Sequence, residues 1–104
     1  MLFDLIIIGG GPIGISVLYR IIKLQKYNVL LIEKKEIFNN FLNMDKNMIW
    51  HSPWNGCNLK ENQFNSKEGN ATIRELLQEF NEFMEKNIDK KFYKTNQSVY
   101  KIEN

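Results

Sequence analysis

The sequence predicts an α/β fold built on a parallel sheet, and three observations predict it. The first is an apolar run, Phe3–Ile8, that leads directly into a cluster of glycines. The second is a helical pattern that begins at Pro12 and is followed by another apolar run, Val29–Ile32. The third is the combined length of strand, helix and strand, which matches the ~30 residues of a β-α-β unit. The two strands of such a unit pair in parallel, with the helix as the crossover between them.

The elements of this unit follow from local patterns. Phe3–Ile8 is almost entirely apolar, which is typical of a strand buried on both faces of a parallel sheet. Pro12 suits the first turn of a helix, where its missing N–H costs nothing. The second strand, Val29–Ile32, ends at Glu33. The apolar residues of the helix between the strands continue at helical spacing: Ile13, Val17, Leu18, Ile21 and Leu24.

From Lys34 to about Asn70 the apolar residues follow neither a helical nor a strand period, so the sequence predicts a long loop there. Loops of that length in compact domains are often functional or disordered. Disorder does not fit the composition, because the segment carries five large aromatic residues: Phe38, Phe41, Trp50, Trp54 and Phe64. One short helix is expected within it, around Ile37–Leu42.

A second helix is predicted from Thr72 to about Asn87. Thr72 and Glu75 match a capping box, in which each side chain satisfies a free backbone N–H of the first turn. The apolar residues of this helix fall on one face: Ile73, Leu76, Leu77, Phe80, Phe83, Met84 and Ile88. After the helix, Phe92–Lys94 is expected to form a third strand and Ser98–Ile102 a fourth.

The composition excludes several classes of protein. At 104 residues the chain is one domain or less, and its 43% hydrophobic and 25% charged residues are ordinary for a soluble protein. A net charge of +2 with scattered lysines does not indicate nucleic acid or an anionic membrane as a partner. The sequence has no run of ~20 apolar residues, so no membrane span is expected. The single cysteine, Cys57, excludes an internal disulfide and a Cys-x-x-Cys pair. We therefore expect a cytoplasmic protein.

Gly9, Gly11 and Gly14 form a Gly-x-Gly-x-x-Gly turn between the first strand and the first helix. Such a turn brings backbone N–H groups and a helix N-terminus up against a phosphate, and glycine lets the main chain approach it closely. The alternative is a tight turn without a ligand. The strand before the turn and the helix after it favour a dinucleotide site.

An acidic residue stands where such a site would use one. Glu33 closes the second strand 19 positions after Gly14, and an acid near that offset accepts hydrogen bonds from the hydroxyls of an adenosine ribose. Its charge also disfavours a 2′-phosphate at the same place. The alternative is a carboxylate that is simply solvated at the end of a strand.

The remaining reactive side chains give weaker indications. His51, the only histidine, lacks an evident acidic partner, so we expect it to be structural or exposed rather than a general base. Cys57 is expected to be a small buried or half-buried residue rather than a nucleophile. Trp50 and Trp54 either flank a flat aromatic ligand, such as an isoalloxazine ring, or anchor the loop on the sheet. No catalytic residue and no metal site are expected.

Taken together, these segments resemble a known family. The run Asp4–Gly14, with its Gly-Gly-Gly-Pro-x-Gly form, and the strand end Leu31–Lys34 resemble the N-terminus of the two-dinucleotide-binding flavoproteins. Ala71–Leu77 and Lys94–Val99 are similar to later segments of the same family. The loop Met48–Trp54 resembles that of flavin-dependent monooxygenases and N-hydroxylases.

This resemblance implies a partial, Rossmann-like, three-layer FAD-binding fold with parallel strands in the order 3-2-1 and the start of a β-hairpin at the C-terminus. It implies FAD as the cofactor, NAD(P)H in the complete enzyme, and chemistry that belongs to the cofactor. It also assigns roles to individual positions. The FAD pyrophosphate would bind at Gly9, Gly11, Pro12, Ile13 and Gly14. The adenosine ribose would bind Glu33, with Lys34 beside it, and the adenine edge would meet the backbone of Val99. The flavin would lie near Trp50, His51 and Ser52.

Members of this family run to several hundred residues and contain a second glycine-rich unit. Residues 1–104 are therefore expected to be the N-terminal part of an FAD-binding domain, with 34–70 as a loop facing the flavin, truncated or completed by another chain. Subclasses whose redox dithiol follows the second strand are disfavoured, because Cys57 has no partner. Two alternatives stay open: a segment of an NAD-binding dehydrogenase, and a non-catalytic nucleotide-binding remnant.

Overall fold

The computed structural model describes residues 2–99, and the elements within that range follow in chain order. They are β1 (Leu5–Ile8), α1 (Pro12–Leu24), β2 (Val29–Ile32), α2 (Asn39–Leu42), β3 (Ile49–Pro53), β4 (Asn70–Thr72), α3 (Ile73–Asn87) and β5 (Tyr93–Lys94). Single 3₁₀ turns precede β5 and follow β3, at Lys90–Phe92 and Trp54–Gly56. No helix within the described range is long and apolar enough to cross a membrane.

The parallel sheet has the strand order β1-β2-β5. β1 pairs with β2 over its whole length, from Leu5 opposite Val29 to Ile8 opposite Ile32, and β5 joins the other edge of β2. α1 is the crossover between β1 and β2, so the β-α-β unit has the connection that its length predicts. The predicted α/β class and the parallel order 3-2-1 are confirmed.

The main core lies on one face of this sheet. Side chains alternate between the two faces of a strand, and Ile7, Val29 and Leu31 contribute to the same hydrophobic cluster as α1 and α3. On the opposite face, Ile6 and Ile8 are 55% and 59% exposed. The prediction that the first strand is buried on both faces was therefore wrong. Within residues 2–99, β1 is an edge strand that pairs only with β2.

Helix α1 is apolar on two sides. Ile15 and Leu18 are fully buried against the sheet, whereas Ile13, Val17 and Leu24 are exposed. Of the five apolar residues predicted for this helix, Leu18 and Ile21 therefore pack toward the core, whereas the other three lie on the outer side. A sequence pattern cannot say which of two apolar stripes on a helix meets the core, because that depends on how the helix is rotated on the sheet.

Helix α3 agrees with its prediction in detail. The hydroxyl oxygen of Thr72 accepts a hydrogen bond from the backbone N–H of Glu75 at 3.2 Å, and the carboxylate of Glu75 accepts one from the N–H of Thr72 at 2.9 Å. The capping box is therefore complete. The predicted apolar face is buried at every one of its seven positions: Ile73, Leu76, Leu77, Phe80, Phe83, Met84 and Ile88.

The segment 34–70 is more regular than predicted. It contains the short helix α2, as expected, but also β3 and the start of β4, which pair antiparallel with Ile49 opposite Thr72 and Pro53 opposite Asn70. The expectation of a long loop was wrong here. β4 has only three residues and the pairing is irregular, so neither strand leaves a clear alternation in the sequence.

The C-terminal prediction is only partly covered. Ser98 and Val99 lie outside any strand. The rest of the predicted fourth strand falls on residues 100–104, which lie outside the described residues. The start of a β-hairpin there stays a prediction.

Candidate functional site

The turn between β1 and α1 needs two of its glycines for the backbone itself. Gly9 has a φ of +110°, a conformation that side chains disfavour. A Cβ atom on Gly14 would lie 2.1 Å from the carbonyl oxygen of Gly9 and 3.7 Å from a methyl group of Ile7. Gly14 thus lets α1 approach β1 closely. Gly11 differs, because a Cβ there would meet nothing within 4 Å. Its missing side chain leaves open space above the turn.

The N-terminus of α1 presents free hydrogen-bond donors at this turn. Gly11 is the N-cap and has no side chain to accept from the helix, and Pro12 follows as the first helical residue. The first intrahelical bond joins the N–H of Ile15 to the carbonyl of Gly11 at 3.0 Å. The N–H groups of Ile13 and Gly14 precede that bond and have no acceptor within the helix. They lie at the positive end of the helix dipole, an arrangement that favours an anion.

Three hydrogen bonds fix the glycine turn to the segment that follows β2. The N–H of Gly9 donates to the carbonyl of Ile32 at 2.9 Å. The N–H of Gly10 donates to Oε1 of Glu33 at 2.8 Å. The carbonyl of Gly10 accepts from the N–H of Phe38 at 2.8 Å. The turn is therefore connected both to the end of β2 and to the residues leading into α2.

Glu33 is the centre of these connections. Its second carboxylate oxygen, Oε2, accepts from the N–H of Lys35 at 2.6 Å. Its backbone N–H donates to the carbonyl of Lys94, and its own carbonyl accepts from the N–H of Gln97 at 3.0 Å. One residue thus joins the glycine turn, the end of β2 and the segment after β5.

Glu33 and Lys34 line two clefts. The first has a volume of about 340 Å³ and lies at the N-terminus of α1. It is lined by Gly11, Pro12, Glu33, Lys34, Lys35, Phe38, Asn39, Asn40 and Phe41. The second has a volume of about 390 Å³ and lies over the ends of β1 and β2. It is lined by Ile8, Gly9, Ile32, Glu33, Lys34, Gln97, Ser98 and Val99.

The clefts bring together six of the residues singled out in the sequence: Gly9, Gly11, Pro12, Glu33, Lys34 and Val99. Ile13 and Gly14 adjoin them through the first turn of α1. The sequence prediction missed Lys35, Asn39, Asn40, Gln97 and Ser98. Lys35 could have been found from its place beside Glu33. The asparagines lie in the short helix expected around Ile37–Leu42, and no local signal connects that helix to the turn.

Trp50, His51 and Ser52 lie on β3 and line neither cleft. Trp50 is half-buried, with its ring centroid 5.0 Å from that of Phe41 and 4.4 Å from that of His51. It therefore touches the first cleft only indirectly, through Phe41. His51 is exposed and Ser52 half-buried. Their approach to a flavin stays a prediction.

Trp54 and Cys57 belong to the core. Trp54 is buried, with its ring 5.0 Å from that of Phe64 and the ammonium of Lys67 4.8 Å above it. Of its two predicted roles, the structure supports anchoring. Cys57 is buried, and burial raises the pKa of its thiol. The expectation that Cys57 is a small buried residue is confirmed, whereas its not being a nucleophile stays a prediction.

Known structures share this fold. The chain superposes on the bacillithiol disulfide reductase Bdr (YpdA) from Bacillus cereus with a TM-score of 0.82 and 22% identity, over 98% of this chain and 31% of the reductase. The enzyme of the same name from Staphylococcus aureus gives a TM-score of 0.78 and 23% identity, over 97% and 31% of the two chains. OTEMO, crystallised with FAD and NADP, gives a TM-score of 0.70 and 21% identity, over 93% and 20%.

These identities are low enough that the likeness establishes the fold alone. The chain spans 31% of the length of the two reductases. No protein-family model and no curated protein sequence matches the chain.

Proposed function

We propose that this chain binds the ADP portion of FAD, as the N-terminal part of the FAD-binding domain of an NAD(P)H-dependent flavoprotein oxidoreductase. The observation that carries the proposal is that Glu33 lines both clefts. Gly11 and Pro12, at the N-terminus of α1, line the first cleft with it, and Val99 lines the second. A nucleotide diphosphate has its ribose between its phosphates and its base, so its three parts match this order.

The phosphate end of the site suits a pyrophosphate. Because a Cβ at Gly11 would meet nothing within 4 Å, a phosphate oxygen has room to approach the main chain there. The N–H groups of Ile13 and Gly14 would bind it, and the helix dipole would favour its charge. The exposed lysines Lys34 and Lys35 line the same cleft and add positive charge.

The ribose and adenine ends rest on fewer groups. Each carboxylate oxygen of Glu33 accepts one backbone N–H, and a carboxylate has about four acceptor positions in all. Two therefore stay available for the ribose hydroxyls. The negative charge of Glu33 would repel a 2′-phosphate, which favours FAD or NAD over NADP here. Val99 would meet the adenine edge through its backbone.

Bound FAD would supply hydride and electron transfer, and the chain's own residues would bind and orient it. NAD(P)H would bind elsewhere in the complete enzyme, on the rest of the same protein or on a complementing chain. A monooxygenase-like reaction is supported by the resemblance of Met48–Trp54 and by the likeness to OTEMO. Disulfide reduction is a second candidate, supported by the higher TM-score of 0.82 with the reductase from Bacillus cereus. In that case at least one redox thiol would have to come from outside residues 1–104.

The proposal is tested by titrating the purified chain with FAD, ADP, NAD⁺ and NADP⁺. Isothermal calorimetry should detect FAD and ADP, with NADP⁺ the weakest of the four. Glu33→Ala should weaken FAD binding by ~1–3 kcal/mol, the range for hydrogen bonds to a charged group. Gly11→Ala should weaken FAD and ADP together, because its methyl group occupies the space that the phosphate needs.

Three results would count against this function. Tighter binding of NAD⁺ than of FAD would favour a dehydrogenase segment. A folded chain that binds none of the four would favour a non-catalytic remnant. Equal FAD affinity in the wild type and Glu33→Ala would remove Glu33 from the site.

A further inference from the structure

Glu33 contacts the glycine turn through packing as well as through a hydrogen bond. Gly10 is buried, and its N–H donates to Oε1 of Glu33 at 2.8 Å. A Cβ on Gly10 would lie 3.2 Å from both Cβ and Cγ of Glu33, and 2.7 Å from Cδ1 of Ile37. The methylene groups of Glu33 therefore lie directly against the turn, and its carboxylate holds the turn's middle amide.

The orientation of this carboxylate is fixed from a second direction. Its other oxygen accepts the N–H of Lys35 at 2.6 Å, on a different segment from Gly10. The backbone of Glu33 is itself held by Lys94 on one side and Gln97 on the other. A side chain fixed at both oxygens and at its backbone can act as a rigid support for a neighbouring loop.

The amide of Gly10 is thus assigned to Glu33 and not to a phosphate. The donors that stay free for an anion are those of the first turn of α1, at Ile13 and Gly14. Their direction depends on how the turn enters the helix, and Gly10 lies immediately before the N-cap, Gly11.

We propose that Glu33 is a positioning residue for the phosphate end of the site, in addition to its contact with the ribose. Its carboxylate holds Gly10 so that the free N–H groups of α1 face the pyrophosphate before any ligand arrives. The identity of that ligand rests on the proposed function, whereas the support of the turn does not. Glutamine cannot fully replace Glu33. Both carboxylate oxygens of Glu33 accept a backbone N–H, whereas a glutamine side chain has one oxygen and would turn its NH₂ group toward one of these two donors.

Amide hydrogen exchange, measured by NMR on the full chain without ligand, tests the positioning role directly. In Glu33→Gln the amide of Gly10 should exchange about tenfold faster than in the wild type, the effect of losing one hydrogen bond to a charged group. Glu36→Gln is the matched control, because it removes the same charge from an exposed position three residues away. Its Gly10 amide should exchange at the wild-type rate. An unchanged Gly10 rate in Glu33→Gln would overturn the proposal if Glu33→Asp also keeps the wild-type rate, because a glutamine oxygen can still accept from Gly10 while the NH₂ group faces Lys35.

Inorganic pyrophosphate then separates positioning from ribose binding, because it contains no ribose. If Glu33 acted through its charge alone, removing that charge should tighten pyrophosphate binding, because a negative charge repels the anion. Glu36→Gln measures this purely electrostatic effect, since it removes a nearby charge and keeps the hydrogen bond to Gly10. If Glu33 positions the turn, Glu33→Gln should instead bind pyrophosphate about tenfold more weakly. Equal or tighter binding than in Glu36→Gln would contradict the positioning role.

Glu33→Asp keeps the test decisive if Glu33→Gln does not fold. Aspartate retains the charge but is one methylene shorter, so it cannot reach the N–H groups of Gly10 and Lys35 together. It should show the same faster exchange at Gly10, and a wild-type rate would overturn the proposal. The FAD titration tests the proposed function and not the support of the turn. A chain that fails to bind FAD, yet loses Gly10 protection in these variants, would refute the proposed function and leave the support of the turn intact.

Discussion

Replacing Gly14 with alanine measures how closely α1 must approach β1. The new Cβ would lie 2.1 Å from the carbonyl oxygen of Gly9, whereas ordinary contacts of this kind begin at 3.4 Å. The obstructing atom belongs to the backbone, so no side chain can rotate out of the way. The helix would therefore have to withdraw from the strand by about 1 Å.

The size of the effect follows from two opposed contributions. Overpacking of this kind costs ~1–3 kcal/mol, and a backbone obstruction lies at the upper end of that range. Alanine gains up to ~1 kcal/mol over glycine in a helix. We expect a net loss of ~2 kcal/mol in the free energy of unfolding. For a chain of this size, that lowers the melting temperature by about 10 °C.

Urea unfolding followed by tryptophan fluorescence supplies the measurement, and Gly11→Ala supplies the control. Gly11 has a φ of −79° and a Cβ there would meet nothing within 4 Å, so its alanine variant should stay within ~0.5 kcal/mol of the wild type. The two substitutions are chemically identical and three residues apart. If both variants unfold at the same urea concentration, the close approach at Gly14 does not limit stability and the reasoning fails.

Three other predictions concern positions away from the turn. Hydrogen bonds from the backbone and then the side chain of Thr72 hold the pKa of Glu75 below its usual range. The resulting stabilisation is present at pH values above the usual carboxyl pKa and is lost as the pH falls through the lowered pKa. Glu75→Gln should therefore be less stable than the wild type at neutral pH, and the two proteins should become equally stable in acid. A difference in stability that persists in acid would contradict this. Lys46→Met removes an ammonium that donates to the carbonyl of Leu42 at 2.6 Å, and should cost ~1–2 kcal/mol in urea unfolding; an unchanged midpoint would show that this contact adds nothing. Because Cys57 is buried and burial raises its pKa, an aromatic disulfide reagent should label it slowly in buffer and rapidly in urea, and immediate labelling of the folded chain would refute its burial.

The features that the sequence predicted well depend on residues close together in the chain. The capping box joins Thr72 to Glu75, and the buried face of α3 repeats every three or four residues. The glycine turn is equally local, because its strand, its glycines and its helix are contiguous. Each of these patterns is set by backbone geometry over one or two turns, and a single sequence displays it completely.

The features that were missed depend on contacts between distant residues. β3 exists because Ile49 pairs with Thr72, and nothing in either short segment specifies its partner. The exposure of Ile6 depends on what lies across the sheet rather than on its own neighbours. The residues of the candidate site divide in the same way, into those set by local sequence and those set by distant contacts. Glu33 and Gly11 were predicted from spacing, whereas the contribution of Asn39 to the first cleft follows only from how α2 packs.

The exposed edge of β1 has a consequence for the behaviour of the chain in concentrated solution. The N–H of Leu5 donates to the carbonyl of Asn28, just before β2, and that of Gly9 donates to the carbonyl of Ile32. Backbone groups alternate in direction along a strand, so the N–H groups of Ile6 and Ile8 point away from β2. An unpaired edge that is rich in isoleucine is a template for strand addition by another molecule. Asp4, the charged residue just before this strand, accepts a hydrogen bond from the N–H of Asn28 at 2.8 Å, and its charge opposes such stacking. The strand that leads into the glycine turn is therefore also the place where self-association of this chain would begin, so we expect association to increase with the concentration of the chain.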